Sequence, residues 1–229
     1  MKGSAMNSGT KRRLVLLLVA VACTALSSCG PASKEPLSDA IKSEPDNDLN
    51  GTWMREDDTA TNLMIIGRRG GFSEPKDKIF PRSLMVVTGL HLPKDGELEE
   101  SSADNSLMFF VSRIGQETYA NLFETKVVRG ARNKGEWIYP ADVSFTLVKY
   151  RAEKNALDIY LLDEEKVKAA IKKSLIKGTV VPRKEREWSD KVVITDGKAA
   201  ADYLAKEGGK ALFQDKPDRW ARAKVVPVK

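Results

Sequence analysis

Short runs of apolar residues, several of them alternating with polar residues, follow one another from Asn50 onward. Alternation with a period of two is typical of strands that bury one face, and turn signals such as Gly70-Gly71 and Asn133-Lys134-Gly135 separate most of the runs. The pattern predicts seven strands: Thr52–Arg55, Thr61–Ile66, Leu84–Leu90, Leu107–Ile114, Thr118–Thr125, Val143–Tyr150 and Leu157–Leu161. This succession favours an antiparallel meander, curled or closed into a barrel.

The last third of the chain has a different texture, with helical periodicity between shorter strands. Asp163 is placed to cap a helix that runs to about Ser174 and that Gly178 ends, and a second helix is predicted from about Lys198 to Gly208. Further strands are predicted at Thr179–Val181, Lys191–Thr195 and Trp220–Val228. The predicted fold is therefore α+β and β-rich, with two helices in the C-terminal third of a single globular domain spanning 49–229. An open α+β sheet is the alternative to a barrel.

The amino-terminal residues have the pattern of a targeting signal. Three basic residues, Lys11–Arg13, precede an apolar stretch from Leu14 to Leu26 in which Thr24 is the one polar residue. Thirteen residues are too few for a membrane-spanning helix, which needs about 20. A basic lead, a short apolar run and small residues after it predict a secretory signal peptide over residues 1–28.

The end of this stretch, Leu26-Ser27-Ser28-Cys29, resembles the lipobox of bacterial lipoproteins. The resemblance implies that diacylglycerol is attached to the Cys29 sulfur, that a peptidase cuts before Cys29, and that the new amine receives an acyl chain such as palmitate. The implied product is anchored in a membrane of the bacterial cell envelope. Gly30 rather than aspartate follows the cysteine, which implies the outer membrane in a Gram-negative cell. The alternative is an ordinary signal peptide cut near a chance cysteine.

Removal of the signal changes the charge and cysteine counts. The first 28 residues hold four of the 38 basic residues and none of the 32 acidic ones, so the remaining 201 residues carry a net charge of +2. Most of the net charge of +6 that the full chain carries thus belongs to the signal. No nucleic-acid partner is therefore predicted. Cys29 is then the sole cysteine, which excludes an intrachain disulfide.

Residues 29–48 are rich in proline, serine and charge, and they contain few apolar side chains. This composition predicts a flexible tether between the lipidated cysteine and the domain. About 18 flexible residues have a root-mean-square reach of roughly 25 Å. The domain would then lie above the lipid headgroups.

The segment Leu49-Asn50-Gly51-Thr52-Trp53 resembles the opening of lipocalin-like domains. The resemblance implies that Gly51 lets the chain turn into a barrel and that Trp53 plugs its closed end beneath a late arginine, either Arg219 or Arg222. It also implies a fold of eight strands followed by one helix, whereas this chain is predicted to place two helices before its last strand. The whole layout resembles a group of uncharacterised bacterial lipoproteins.

Catalytic motifs are missing from the sequence. There is a single histidine, His91, which we expect to be a solvated residue at the end of a strand. One histidine and one acylated cysteine do not supply a histidine zinc site or a Ser-His-Asp triad, and no phosphate loop or nucleophile elbow occurs. We therefore predict no enzyme, no cofactor and no metal centre, although a lysine-assisted serine or a carboxylate pair formed in space stays open.

One acidic stretch, Asp46–Gly51, matches the first half of a calcium loop, with oxygen ligands at positions 1, 3 and 5 and glycine at position 6. Position 12 falls on Asp57, which is shorter than the glutamate expected there. No helix precedes the stretch, and its second half is predicted to be a strand. We expect a solvated turn rather than a cation site.

Two functions follow from the anchor and the strand-rich body. The first is an envelope lipoprotein whose barrel binds a small apolar ligand, since barrels of about eight strands can hold one small molecule. The alternative is a structural or interaction lipoprotein that docks on an envelope protein. The residues predicted to matter are Cys29 for lipidation and Gly51 and Trp53 for structure.

Overall fold

The computed structural model describes residues 30–68, 83–94, 106–124, 132–133, 136–137, 143–182 and 190–224. The helices in this part of the chain are α1 (Glu164–Lys172) and α2 (Gly197–Glu207). Its strands are β1 (Ala32–Ser33), β2 (Gly51–Glu56), β3 (Ala60–Arg68), β4 (Met85–Pro93), β5 (Ser106–Ile114), β6 (Glu117–Glu124), β7 (Arg132–Asn133), β8 (Glu136–Trp137), β9 (Thr146–Ala152), β10 (Ala156–Leu161), β11 (Gly178–Val181), β12 (Lys191–Ile194) and β13 (Asp218–Arg222). The same part of the chain contains three short 3₁₀ helices, at 40–42, 47–49 and 209–211.

Eight of the strands close into an antiparallel barrel in the order β2-β3-β4-β5-β6-β9-β10-β13, and β13 pairs back onto β2. Each strand pairs with the next barrel strand along the chain, as in an up-and-down barrel. Closure satisfies the backbone groups that an open sheet would leave at its edges. The predicted β-rich α+β fold, with a lipocalin-like barrel and two helices in the C-terminal third, is confirmed.

A compact insertion separates the seventh barrel strand from the eighth. It runs α1-β11-β12-α2 between β10 and β13, and β11 and β12 form a three-stranded sheet with β1. In this sheet β12 is central, parallel to β1 and antiparallel to β11. The helices therefore precede the last barrel strand, as the sequence predicts and unlike the lipocalin order.

Local capping chemistry fixes the ends of both helices. The Asp163 carboxylate accepts the Lys166 N–H at 3.1 Å and begins α1, as predicted. Gly208, at φ +78°, follows the end of α2. The prediction that Gly178 ends the first helix is wrong, because α1 stops at Lys172, Ser174 adopts φ +55°, and Gly178 begins β11.

Residues 30–48 differ from the expected flexible tether, because they pack along the outside of the domain. Ser33 exchanges backbone hydrogen bonds of 2.8 and 2.7 Å with Phe145, and β1 pairs with β12. Leu37 and Ala40 are buried, and the Leu37 N–H donates to the Asn121 side chain at 2.8 Å. Few apolar residues suffice here because each one enters a core built by distant parts of the chain.

The described residues form two hydrophobic cores, one on each side of a shared barrel wall. The inner core fills the barrel around Trp53, Phe109 and Leu157. The outer core lies between β5, β6 and β9 and the insertion with the 30–48 segment, and it includes Phe110, Phe213 and Val192 among others. Strands β5 and β6 are consequently apolar on both faces, which explains their nearly unbroken apolar runs.

Candidate functional site: the barrel interior

The closed end of the barrel is built around Trp53, which is fully buried. Its indole N–H donates to the Leu49 carbonyl at 2.9 Å. The Arg222 guanidinium lies 4.3 Å from the centre of the Trp53 ring, a distance suited to a cation–π contact. Of the two arginines considered from sequence, the stacking residue is thus Arg222, while Arg219 lies 3.7 Å from Asp158.

Arg222 also ties the first turn of the chain to the last barrel strand. Its guanidinium donates to the Asn50 carbonyl at 2.7 Å and to the Asp48 carbonyl at 2.6 Å. Gly51 adopts φ +135°, and a Cβ there would lie 2.8 Å from the Arg222 Nη1. Both the backbone angle and the close approach favour glycine, as expected for the turn into the barrel.

The acidic stretch Asp46–Gly51, which matches half of a calcium loop, contributes hydrogen bonds within the domain. The Asp46 carboxylate accepts the Asp48 N–H at 3.1 Å and the Tyr150 hydroxyl at 2.8 Å. Asp57 instead accepts from the N–H groups of Thr59 and Ala60 and from the Thr59 hydroxyl, which lowers its pKa to about 2. Within the ranges described above, no cluster of three or more His, Cys, Asp or Glu side chains is placed to hold a metal ion.

In the inner core around Trp53 the barrel holds a partly open cavity of about 60 Å³. The side chains that line it are apolar except for Tyr150, whose hydroxyl donates a hydrogen bond to the Asp46 carboxylate. The lining residues are Leu49, Met64, Ile66, Val87, Phe109, Ala120, Leu122, Val148, Tyr150, Leu157 and Ile159. Burial, followed by the nearby Asp46 carboxylate, raises the Tyr150 pKa far above its usual range. The phenol therefore stays neutral, and apolar cavities of this kind hold apolar matter in preference to water.

A polar belt marks the other end of the interior. Arg55, Asn62 and His91 are register neighbours on β2, β3 and β4, and strand alternation places Arg55 on the same inner face as Trp53. The Arg55 guanidinium lies 3.1 Å from the Asp218 carboxylate and 5.1 Å from the Trp220 ring centre. We call these five residues the polar belt, and the Arg55 side chain in it is 35% exposed.

His91 differs from the solvated strand-end residue expected from sequence. It lies within β4, is half-buried, and its Nδ1 lies 2.9 Å from the Asn62 Oδ1. Several apolar side chains that line the cavity, among them Met64, Val87 and Ile159, are half-buried rather than fully packed. The barrel interior is thus apolar around the cavity and polar at the belt, which forms the mouth of the barrel. This arrangement suits a small apolar molecule with a polar end.

A second polar cluster, which the sequence analysis missed, lies on the outer face of the barrel. Lys149 is buried, and its ammonium lies 3.1 Å from Glu117 and 4.3 Å from the Tyr160 ring centre. Glu117 also accepts the Tyr119 hydroxyl at 2.8 Å and the Gly209 N–H. The cluster joins the barrel wall to the end of the insertion. Glu117 and Tyr119 are neighbours on β6, but Lys149, Tyr160 and Gly209 are far from them in the sequence, so no local pattern reveals the cluster.

This cluster makes the stability of the domain depend on pH. Burial raises the pKa of the Glu117 carboxyl, but hydrogen bonds from Tyr119 and Lys149, with the Lys149 charge and the Gly209 N–H, outweigh burial and leave the pKa below its usual range. A lowered folded pKa means that this stabilisation is present above the ordinary glutamate pKa of about 4.3 and is lost as the pH falls through the folded value. We expect the free energy of unfolding, measured in urea from pH 7 to pH 3, to fall accordingly.

Glu117→Gln is the matched control, because it keeps the size of the side chain and removes its titration. Asp57, Asp196 and Asp215 also have lowered pKa values and contribute in the same direction. The difference between the wild-type and E117Q curves isolates the Glu117 contribution. Parallel curves over the whole pH range would contradict the assignment.

The predicted lipidation site, Cys29, and the signal peptide lie outside the described residues, as do positions 225–228 of the last predicted strand. Among the helices that the structure describes, none has the length and apolar character needed to cross a membrane.

The amino-acid sequence and the structure were both compared with known proteins. No protein-family model, no curated protein and no solved structure matches the chain. The geometry of the barrel interior and the motifs at the amino terminus are therefore the features that indicate a function.

Proposed function

We propose that this protein is a membrane-anchored lipoprotein of the bacterial envelope whose barrel binds a small apolar ligand. The observation that carries the proposal is the partly open apolar cavity in the inner core around Trp53, with the polar belt at the end of the barrel interior beyond it. The lipobox-like segment ending at Cys29 supports the anchor. Acylation at the sulfur and at the amine would together give a stable anchor, since each buried methylene adds about 0.8 kcal/mol.

The size of the cavity limits the ligand. A volume of about 60 Å³ is well below the roughly 300–1,000 Å³ of sites for drug-sized molecules. The ligand is therefore small, or it is slender and extends from the cavity toward the mouth. The Arg55–Asp218 pair at the belt is a neutral unit overall, so it suits an uncharged polar end better than a free anion.

Filling the cavity should abolish binding without unfolding the barrel. Ala120 lines the cavity on β6, and Ala120→Leu extends into the empty space. We expect the wild-type protein to enhance the emission of methyl parinarate, a slender apolar polyene with an uncharged polar end, and A120L to lose most of that enhancement. Native mass spectrometry of protein purified gently from the envelope should likewise show a bound mass on the wild type and none on A120L.

Ala221→Leu provides the matched control, because it makes the same substitution on the exposed outer face of β13. A221L should bind the fluorophore as the wild type does. Equal fluorescence for all three proteins would place the probe on the surface and contradict an interior site. A clean mass without ligand, together with no titratable binding, would favour the alternative, a lipoprotein that docks on an envelope protein.

A further inference from the structure

The packing of residues 30–48 places the predicted lipid anchor directly beside the folded domain. Gly30 is the first described residue, and Ala32 already belongs to the small sheet. Consecutive Cα atoms are about 3.8 Å apart, so at most about 11 Å of chain separates Cys29 from Ala32. This is less than half of the reach expected for a flexible tether. The domain is therefore held at the point where the acyl chains would enter the bilayer.

The chain arrives from Cys29 at one end of the small sheet formed by β1, β12 and β11. Strand β1 runs parallel to β12, with Ala32 opposite Val193, so the chain enters the sheet at the end where Lys191 begins β12. Strand β11 is antiparallel to β12, and its last residue, Val181, pairs with Lys191. Gly30, Lys191 and Val181 consequently lie toward one end of the same sheet.

This end of the sheet exposes apolar side chains beside a basic one, a combination that a surface facing only water does not require. Val180 and Val181 are 38% and 50% exposed, and they are among the few large apolar side chains that the described residues leave open to solvent. Lys191 beside them is also exposed. Exposed apolar side chains next to a cation match the boundary between lipid headgroups and acyl chains.

We infer that Val181 and Lys191, which are register partners on one face of the small sheet, form a membrane-contact face that works together with the acylated Cys29. The inference rests on the proposed lipidation. Val181 would insert at the level of the headgroups, and Lys191 would meet anionic phosphates, which attract basic residues close to the surface. Two attachments at the same end of the small sheet fix the orientation of the domain, whereas acyl chains on a flexible tether would let it rotate.

Helix α1 is a weaker candidate for the same role, although its lysines suggest one. Lys168 is engaged by Glu164, Glu165 and Asp190 at 2.6 to 3.0 Å, and Lys166 pairs with Asp215 at 2.8 Å. The charges of these lysines are balanced within the domain. Lys191, in contrast to the α1 lysines, lies at the end of the sheet where the chain arrives from Cys29.

The test measures the depth of single positions in a bilayer. The acylated full chain carrying Val181→Cys is labelled with bimane and reconstituted into vesicles of phosphatidylethanolamine and phosphatidylglycerol. Acylation consumes the Cys29 thiol and Cys23 is removed with the signal, so the introduced cysteine is the one free thiol. We expect a blue-shifted bimane emission and protection from iodide quenching at position 181.

Asp58→Cys and Lys154→Cys are the controls, since both positions are exposed and lie in turns at opposite ends of the barrel. At least one of them should stay in water. If position 181 is quenched as strongly as both controls on vesicle-bound protein, the membrane-contact face is wrong. Protection of position 181 in intact cells but not in pure lipid would assign the face to a protein partner and also overturn the inference.

The lipid anchor is checked separately by the intact mass of the same protein. A mass without acyl chains, with no association with vesicles, would refute the proposed lipoprotein itself. An acylated, vesicle-bound protein whose position 181 stays in water would refute the contact face alone. The two failures are thus distinguishable.

Discussion

Replacing Trp53 with alanine should lower the free energy of unfolding by about 3–5 kcal/mol, the range observed when a large buried aromatic side chain is truncated. Trp53 is fully buried, and its loss would leave a void beside the existing cavity. The change would also remove the hydrogen bond to the Leu49 carbonyl and the ring beneath Arg222. Urea unfolding followed by circular dichroism measures the effect.

Trp220→Ala is the matched control, because Trp220 is the same residue type on the same inner face but is half-buried near the mouth. Its replacement should lower the free energy of unfolding by clearly less than W53A does. A loss below about 1 kcal/mol for W53A, as for typical surface substitutions, would contradict the role of Trp53 as the plug of the closed end.

Asn121→Leu should lower the free energy of unfolding by about 2–4 kcal/mol, since each buried group left without its hydrogen bond costs about 1–3 kcal/mol. Asn121 is fully buried on the outer face of β6. Its carboxamide accepts the Leu37 N–H at 2.8 Å and donates to the Ser112 hydroxyl at 2.8 Å and to the Phe110 carbonyl at 3.2 Å. Leucine has a similar volume, so the loss reports the polar contacts rather than a cavity.

The same variant should loosen the amino-terminal segment selectively. Hydrogen exchange of the amides around Leu37 should accelerate in N121L, while the amides of the inner core strands remain protected relative to the global stability. Ser112→Ala, which removes one partner of Asn121, is expected to lower the free energy of unfolding by about 1 kcal/mol. Unchanged exchange near Leu37 in N121L would show that other contacts hold the segment.

Local patterns predict most of the secondary structure. The seven strands expected in the first two-thirds of the chain are present to within three residues at each end, and both helices begin at aspartate caps. Trp53 and its arginine could also be anticipated, because the Gly-Thr-Trp opening resembles a known arrangement. These features depend on side-chain alternation, capping and short motifs, all of which are readable along the chain.

The features that sequence reasoning missed depend on contacts between distant residues. The 30–48 segment has the composition of a linker, yet Leu37 and Ala40 enter a core formed by the insertion and the barrel wall. The polar belt brings together Arg55 and Asp218, which neither period nor motif connects. The closure of the sheet into a barrel was one of two alternatives, because strand pairing across the chain carries no local signature.

The position of the insertion has a consequence for how the barrel forms. Closure joins the first turn of the domain to its last strand, and the Arg222 side chain binds a carbonyl 172 residues away. Until β13 arrives, β2 and β10 present unpaired backbone edges to the surroundings, and such edges promote association between chains. Contacts between distant residues also form slowly. We therefore expect chains whose β13 has not yet docked to associate through these two edges, so that the yield of refolding falls as the protein concentration rises.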